Sequence, residues 1–336
     1  MRGNGPGRMS PRIGIVLCTY NRAKLLEGAL DALLTQTADA PPYEIVVVDN
    51  NSTDATADVV RACMASHRRV RYVFEPQQGL AYARNSGIAA TSADIIAFTD
   101  DDVRPAPDWI RAIDAAMVAY EHASWIGGKV LPLWSSPPPP WLTPEFWPPL
   151  ALLDYGDEPI LADASTRRCL VGANLVVRRR AFEAFGLFSP SVQRVGDTIG
   201  STEDHELQLR LWHAGLHGMY CPSLVVFAIV QPERLDRGYH RRWHAGHGRF
   251  YALMNEATFE QSESGHFLGV PLHVFRGLGQ HTVCAVHALV TGQAPSAFYH
   301  ELRARFLAGY ARQRLRGAAP RLDTPDLPRV RHHGAA

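Results

Sequence analysis

An α/β fold built on a mostly parallel sheet is what the N-terminal third of this sequence predicts, and three observations predict it. Short Val/Ile-rich runs of strand length recur four times. Amphipathic segments with helical apolar spacing separate them, and the polar residues gather where the apolar runs end. IGIVLCTY (13–20) reads as a strand. Ala23 to Leu34 reads as a helix with Leu25, Leu26, Ala29, Leu30, Leu33 and Leu34 on its apolar side, and EIVVVD (44–49) as the second strand. Asp54 to Ala65 is predicted helical after the capping-type run NNST. Val70 to Phe74 is the third strand, Ala81 to Ala90 a helix, and Ile95 to Thr99 the fourth strand. Continuous apolar runs fit strands covered on both faces and joined by right-handed crossovers.

Ligands of such sheets sit at the carboxyl ends of the strands. Thr19, Tyr20, Asn21 and Arg22 follow the first strand, Asp49, Asn51 and Ser52 the second, and Asp100, Asp101 and Asp102 the fourth. The last junction, IIAFTDDDV (95–103), asks for a counter-charge. Three adjacent carboxylates repel one another and are costly to desolvate, so they are either solvated or gathered round a cation. Magnesium or manganese typically takes one or two carboxylates and completes its shell with phosphate oxygens. The plainer alternative is a solvated loop in which one Asp caps a helix starting near Asp108.

Composition narrows the classes. A chain of 336 residues, 46% hydrophobic and 20% charged, can bury a substantial core. A formal net charge of +1 gives no general reason to expect nucleic acid as a partner, and no helix-turn-helix or zinc-finger spacing occurs. Cys18, Cys63, Cys169, Cys221 and Cys284 are scattered without a CxxC pair, which suggests neither a disulfide framework nor a zinc site. The N-terminal segment lacks an apolar signal core, and no uninterrupted apolar run of about 18 residues occurs, so a cytoplasmic protein without a membrane span is expected. The turn after the first strand is CTYNR rather than GxGxxG, and no GxxxxGK[ST] is present. Dinucleotide-binding dehydrogenases and P-loop enzymes are disfavoured, and a nucleotide held through a metal on its diphosphate remains.

TYNR, VDNNSTDAT (48–56), GLAYARNSGI (79–88) and FTDDDV, in this order, resemble the nucleotide-sugar domain of family 2 glycosyltransferases, inverting enzymes of the GT-A fold. The resemblance spans roughly residues 11–220. It implies that Asp49 reads the base of the donor nucleotide, that Asp100 approaches the ribose with Asp101 beside it, and that Asp102 holds a divalent cation, manganese or magnesium, on the diphosphate. It implies further that Arg84 and Asn85 belong to a segment closing over the nucleotide, and that Gly172, Ala173 and Asn174 let backbone approach the donor sugar. TED (202–204) resembles the motif whose Asp is the general base, which is Asp204 here. Helix capping by Ser201 or Thr202, with acids in the first turn, is the plainer account of Glu203 and Asp204.

The remainder is less explicit. Trp109 to Tyr120 is predicted helical, and the proline-rich stretch 135–149 reads as a loop. Its aromatic group, Trp134, Trp141, Phe146 and Trp147, suits stacking on a sugar or, more commonly, pinning a stiff loop to the surface. YHRRWHAGHGRF (239–250) is similar to the QxxRW motif of processive synthases in Arg242 and Trp243 but has Tyr239 in place of Gln, which argues against processive polymerisation. Arg242 and Trp243, with Glu203, are candidates for the acceptor or diphosphate side. His240, His244 and His247 have no carboxylate or cysteine nearby, which argues against a metal site. Phe298, Leu302, Phe306 and Tyr310 recur every four residues among arginines, forming a basic amphipathic helix. Such a helix suits a peripheral contact with anionic lipid, packing on its own domain, or a homodimer contact, packing being the commonest use.

The expectation is therefore a metal-dependent, inverting, non-processive glycosyltransferase. It would move one sugar from a uridine or guanosine diphosphate-sugar to a hydroxyl acceptor. A sugar nucleotidyltransferase is disfavoured by the lack of a Gly-rich basic loop after the first strand, and a catalytically silent sugar-nucleotide or glycan-binding module would need no base. The expected organisation is a flexible segment 1–10, a GT-A domain 11–222, a mainly helical region 223–317 and a disordered tail 318–336.

Overall fold

The computed structural model describes residues 12–195, 199–200, 202–254, 259, 265–317 and 325. The expectations for residues 1–10, for a cap at Ser201 and, Pro325 apart, for the tail 318–336 lie outside the described residues.

The alternation read from sequence is present: β1 Ile13–Thr19, α1 Ala23–Leu34, β2 Tyr43–Asp49, α2 Thr56–Ser66, β3 Val70–Phe74, α3 Leu80–Ala90 and β4 Ile95–Asp100. β1 pairs in parallel with both β2 and β4, and β2 with β3. Alternate side chains divide between two cores, Ile13, Ile15 and Leu17 meeting α1 on one face, Val16 and Cys18 meeting α3 on the other.

The second half continues with β5 Val103–Pro105, α4 Trp109–Ala119, β6 Trp125–Trp134, β7 Ile160–Ala162, β8 Leu175–Arg178, α5 Arg179–Phe185, α6 Glu203–His213 and β9 Gly218–Val230. The strand order is β3-β2-β1-β4-β8-β6-β9-β5, with β7 also on β9. β8 joins β4 and β6 antiparallel, and β5 and β7 join β9 antiparallel, so the parallel run expected from sequence ends at β4. β8 is reached by a long excursion through β5, α4 and β6 rather than by one helical crossover. The boundary placed at residue 222 falls inside β9, a thirteen-residue strand that pairs with β6 on either side of an irregularity between Gly127 and Lys129. Pro222 breaks the strand signal there because it offers no ladder donor. No Asp of the 100–102 triplet caps α4, whose flanking Asp108 pairs with Arg111 at 2.9 Å instead.

Beyond β9 come α7 Arg237–Met254, the short strands β10 His266–Phe267 and β11 Val270–Pro271, α8 Leu272–Val290 and α9 Ala294–Leu315. Phe298, Leu302, Phe306 and Tyr310 of α9 are all buried, so its apolar face is spent on the chain's own packing. α7 and α9 cross backbone to backbone: a Cβ on Gly248 would lie 1.9 Å from the Phe306 carbonyl oxygen, and one on Gly309 2.1 Å from that of Ala245. Phe298 also pins the proline-rich loop, its ring 5.1 Å from Trp141 and 5.6 Å from Phe146. That loop carries two 3-10 turns, Pro144–Phe146 and Pro148–Leu150, because proline suits the first position of a turn even where it ends a helix.

The histidines of α7 serve this packing. His240 is fully buried with Nε2 facing the Arg234 carbonyl at 3.1 Å, and His247 stacks on Trp243 at 4.3 Å. Burial pushes His240 from 6.5 down to about 4. The unfolded chain therefore binds a proton, between pH 6.5 and about 4, that the folded chain refuses. Stability is full above that window and falls as pH drops through it, by up to about 1.4 kcal/mol per pH unit for one such group. Urea midpoints should decline more steeply on acidification for wild type than for His240→Gln; parallel declines would show that His240 is protonated in place.

Candidate active site

The carboxyl ends of β1 and β4, the start of α3, the 3-10 turn at Gly172–Asn174, the start of α6 and one face of α7 enclose a cleft of 820 Å³. One wall is built from charge. Thr19, ending β1, donates its hydroxyl to Asp101 at 2.8 Å. Arg22, in the turn that follows, lies 3.1 Å from Asp101 and 3.0 Å from Asp102. From a 3-10 turn after β9, Arg234 reaches Asp102 at 3.4 Å. Burial, and then the neighbouring Asp102 carboxylate, push Asp101 up to about 6. Burial also raises Asp100, the most open member of the triplet, whose side chain is 33% exposed.

Arg84 of α3 is the second anchor. Its guanidinium is buried, pairs with Glu203 at 2.8 Å, lies 3.9 Å from Asp100 and stands over the rings of Phe98 and Phe188 at 5.9 and 5.3 Å. Burial alone would lower it, but Glu203 and then Asp100 outweigh that and hold it raised. Gly172 is small for this reason: a Cβ there would lie 2.4 Å from the Arg84 guanidinium. Sequence reading gave that glycine to the donor sugar.

Asp204 faces the same cleft. Its Oδ2 accepts the Gly172 N–H and its Oδ1 the His205 N–H, both at 2.8 Å. The His205 bond satisfies a first-turn amide of α6, so capping and presentation to the cleft coexist in one side chain. Thr202, flanking the helix, makes no side-chain cap bond. Glu203 lines the cleft but is committed to Arg84, while Arg242 and Trp243 border the cleft from α7.

Five residues named from sequence do not line the cleft. Asn21 takes a left-handed φ of 52° and accepts the Thr53 N–H at 2.7 Å, tying two turns together. Asn51 holds a left-handed turn at φ 66° and is exposed. Asn85 exchanges bonds with the Phe188 backbone at 2.9 and 3.0 Å, and Asn174 is saturated by Trp109, Lys129 and Leu224. Asp49 stands behind the wall, 1% exposed, its oxygens taken by the Ser52 N–H and the Tyr72 hydroxyl at 2.8 Å each.

Asn50, Gln78, Arg194 and Arg234, none of them among the candidates named from sequence, also line the cleft. Asn50 gathers the following loop by accepting the Gly79 N–H and donating to the Gln77 carbonyl. Arg234 follows the end of β9, a strand the sequence did not predict, because residues 223–317 were expected to be mainly helical. Arg194 lies in a stretch without periodicity.

Asp100 and Asp102 fit a divalent cation. Asp100 is open to the cleft with its nearest guanidinium 3.9 Å away, Asp102 shares Arg22 and Arg234 and could exchange them, and a magnesium or manganese ion needs only one or two carboxylates when phosphate oxygens complete its shell. Among the described residues no group of three or more His, Cys, Asp or Glu side chains is placed to hold an ion unaided.

A sheet whose strand ends present an acid triplet, flanked by arginines and faced by a separate carboxylate, defines a class of α/β proteins that seat an anionic ligand at the strand edge. Within that class the chain belongs to glycosyl transferase family 2, whose model matches residues 14–186. A validoxylamine A glucosyltransferase of Streptomyces hygroscopicus subsp. jinggangensis is 36% identical over 165 residues, 47% of this chain and 39% of that protein. Glycosyltransferase AglE of Haloferax volcanii is 31% identical over 121 residues, 36% of this chain and 40% of that protein. The chain thus spans about two fifths of the length of these curated relatives. In fold it is similar to a mannosyltransferase of Pyrobaculum calidifontis solved with GDP-mannose and Mn²⁺, with a TM-score of 0.62, 20% identity and coverage of 90% of this chain and 87% of that one. GalNAc-T7, solved with UDP, GalNAc and Mn²⁺, has a TM-score of 0.56 at 16% identity, covering 82% of this chain and 51% of that one.

The Arg84–Glu203 pair yields a stability prediction. Removing one member of a buried pair strands the other charge, so Glu203→Ala should lose about 3 kcal/mol, whereas Arg84→Met with Glu203→Leu should lose less than the single change. Equal urea midpoints for wild type and Glu203→Ala would mean the pair is solvated.

Proposed function

We propose that the protein is a metal-dependent, inverting, non-processive glycosyltransferase that moves one sugar from a nucleoside diphosphate-sugar to an acceptor hydroxyl. One observation carries this reading: the arginine-bound acid triplet and the separately held Asp204 carboxylate share a single cleft, although they come from different elements. A displacement at an anomeric carbon needs that division, with charge for the leaving group on one side and a base for the nucleophile on the other.

In the reading we favour, the donor diphosphate lies along the wall formed by Asp100, Asp102, Arg22 and Arg194. Asp102, with Asp100 beside it, would hold a divalent cation, whose charge would offset that of the departing diphosphate. Manganese is the first ion to test, because both similar structures named above were solved with it. The nucleoside sits toward Tyr20, Asn50 and Gln78. Asp49 reads the edge of the base only by giving up its bond from Tyr72.

Asp204 accepts the proton of the acceptor hydroxyl as that oxygen attacks the anomeric carbon. The new carbon–oxygen bond forms as the bond to the diphosphate breaks, and its electron pair leaves on the diphosphate oxygen. One displacement with one base inverts the anomeric configuration. The Gly172 and His205 amides keep the Asp204 carboxylate oriented, and Arg84 fixes the neighbouring Glu203, so the base is positioned before the acceptor arrives. The Tyr at position 239, where processive synthases have Gln, supports transfer of one sugar at a time.

Asp204→Asn keeps the shape and removes the base, so turnover should fall about a hundredfold to ten-thousandfold with little change in donor affinity. Transfer to water, followed as nucleoside diphosphate release from GDP-mannose and from UDP-glucose with manganese, measures this without a known acceptor. Undiminished release, or an anomeric configuration retained in the product, would sink the mechanism. EDTA should abolish release in wild type, and Asp102→Ala should lose the metal-dependent part of donor binding. A donor at a hundredfold excess over its dissociation constant should add about 2.7 kcal/mol to wild-type stability.

A further inference from the structure

Charge is segregated along this chain in a way that the net value hides. Between Gly265 and His300 there is no Asp or Glu. Residues 265–317 carry six arginines and one glutamate, a net +5 with His neutral, which leaves −4 for the rest of a chain whose total is +1. The one acid, Glu301, is already paired with Arg241 and Arg305 at 2.8 Å each.

The same segment carries apolar side chains on its outer surface. α8 buries Val274 and Ala288 against its neighbours, but Leu272, Val283, Val286 and Val290 follow one another at helical spacing along the opposite side, with Arg276 and Gly279 between them. Val283, Val286 and Val290 are 69%, 57% and 81% exposed. From Gly277 to Val290 the helix has no Asp, Glu, Lys or Arg at all. At its N-terminal end the β10–β11 turn puts Phe267 and Leu268 outward, 59% and 69% exposed. Arg314 of α9 donates to the Gly269 carbonyl at 3.0 Å, which sets a guanidinium at the base of that turn. An apolar stripe and an apolar tip, with Arg276 in the stripe, Arg314 at the base of the tip and no acid in either, is more than scattered surface hydrophobicity.

We propose that this surface, the outer side of α8 with the β10–β11 turn, docks on an anionic phospholipid membrane and lies along it. Phe267, Leu268 and the valine stripe enter the interface, while Arg276, Arg314 and the other arginines of α9 meet the headgroups. Among the described residues no helix is long and apolar enough to cross a membrane, which fits a helix lying in the plane. A second copy of the chain is a poorer occupant, because a two-fold contact would press one acid-free, arginine-bearing surface onto another. α9 spends its apolar face internally, the commoner of the uses its sequence pattern allows, and the free face belongs to α8.

The test is co-sedimentation of the full chain with vesicles of phosphatidylcholine alone or of phosphatidylcholine and phosphatidylglycerol in equal parts. The chain should pellet with the anionic vesicles, less so as salt is raised, and little with the neutral ones. Phe267→Ser with Leu268→Ser, and separately Val286→Asp with Val290→Asp, change only exposed side chains and should keep the wild-type circular dichroism and melting temperature while binding about tenfold more weakly. Absence of binding, equal binding to neutral vesicles, or undiminished binding by both variants overturns the proposal. So does a dimer in sedimentation equilibrium that these variants dissolve, since the surface would then belong to a second copy.

Discussion

Desolvated carboxylates must find positive charge, and that constraint organises the cleft. Asp100, Asp101, Asp102 and Glu203 draw Arg22, Arg84 and Arg234 from three separate parts of the chain. Each arginine ties its own element to the triplet: the turn after β1 through Arg22, α3 and α6 through Arg84, and the segment after β9 through Arg234. A donor diphosphate with its cation could enter such a site by exchanging partners with these side chains, with little reorganisation of the backbone. The positions of β1, β4, α3 and α6 are therefore set by charge at their ends as much as by the aliphatic layers beneath them.

The alternating half of the fold was legible because its signals are local. β1 to β4 are apolar runs bounded by polar turns, and the helices fill the intervals between them, so their limits were read to within a residue or two. What followed was less legible for a physical reason. β6 carries two glycines and a proline, β9 carries Pro222, and the pairings that make both of them strands are to residues far away in sequence. No window of the sequence contains such a partner.

The same distinction governs the site. The acid triplet and Asp204 stood out as residue patterns, and both reach the cleft. Which polar residues of a turn face the ligand and which face the protein did not stand out: Asn21 and Asn51 hold left-handed turns while Asn50, between them, lines the cleft. The three differ only in backbone dihedral and direction, which composition does not encode. At Gly172, smallness is legible in the sequence, but the Arg84 side chain that occupies the space of a Cβ there is not.

β9 has a consequence in time. β5, at Val103–Pro105, pairs with Val226–Ala228, and the Gly172–Asn174 turn packs beside the same strand through Asn174 and Leu224. A ribosome that has finished the family-matched segment, residues 14–186, has released β5 and β6 but not the strand that joins them. Until β9 emerges, β5 has no partner and the edge of β6 stays open, a state in which strands can pair with other chains. Non-local closure of this kind is slow. The growing chain is thus most exposed to aggregation after its family-matched half is complete, and a fragment cut at the family boundary would be held in that state permanently.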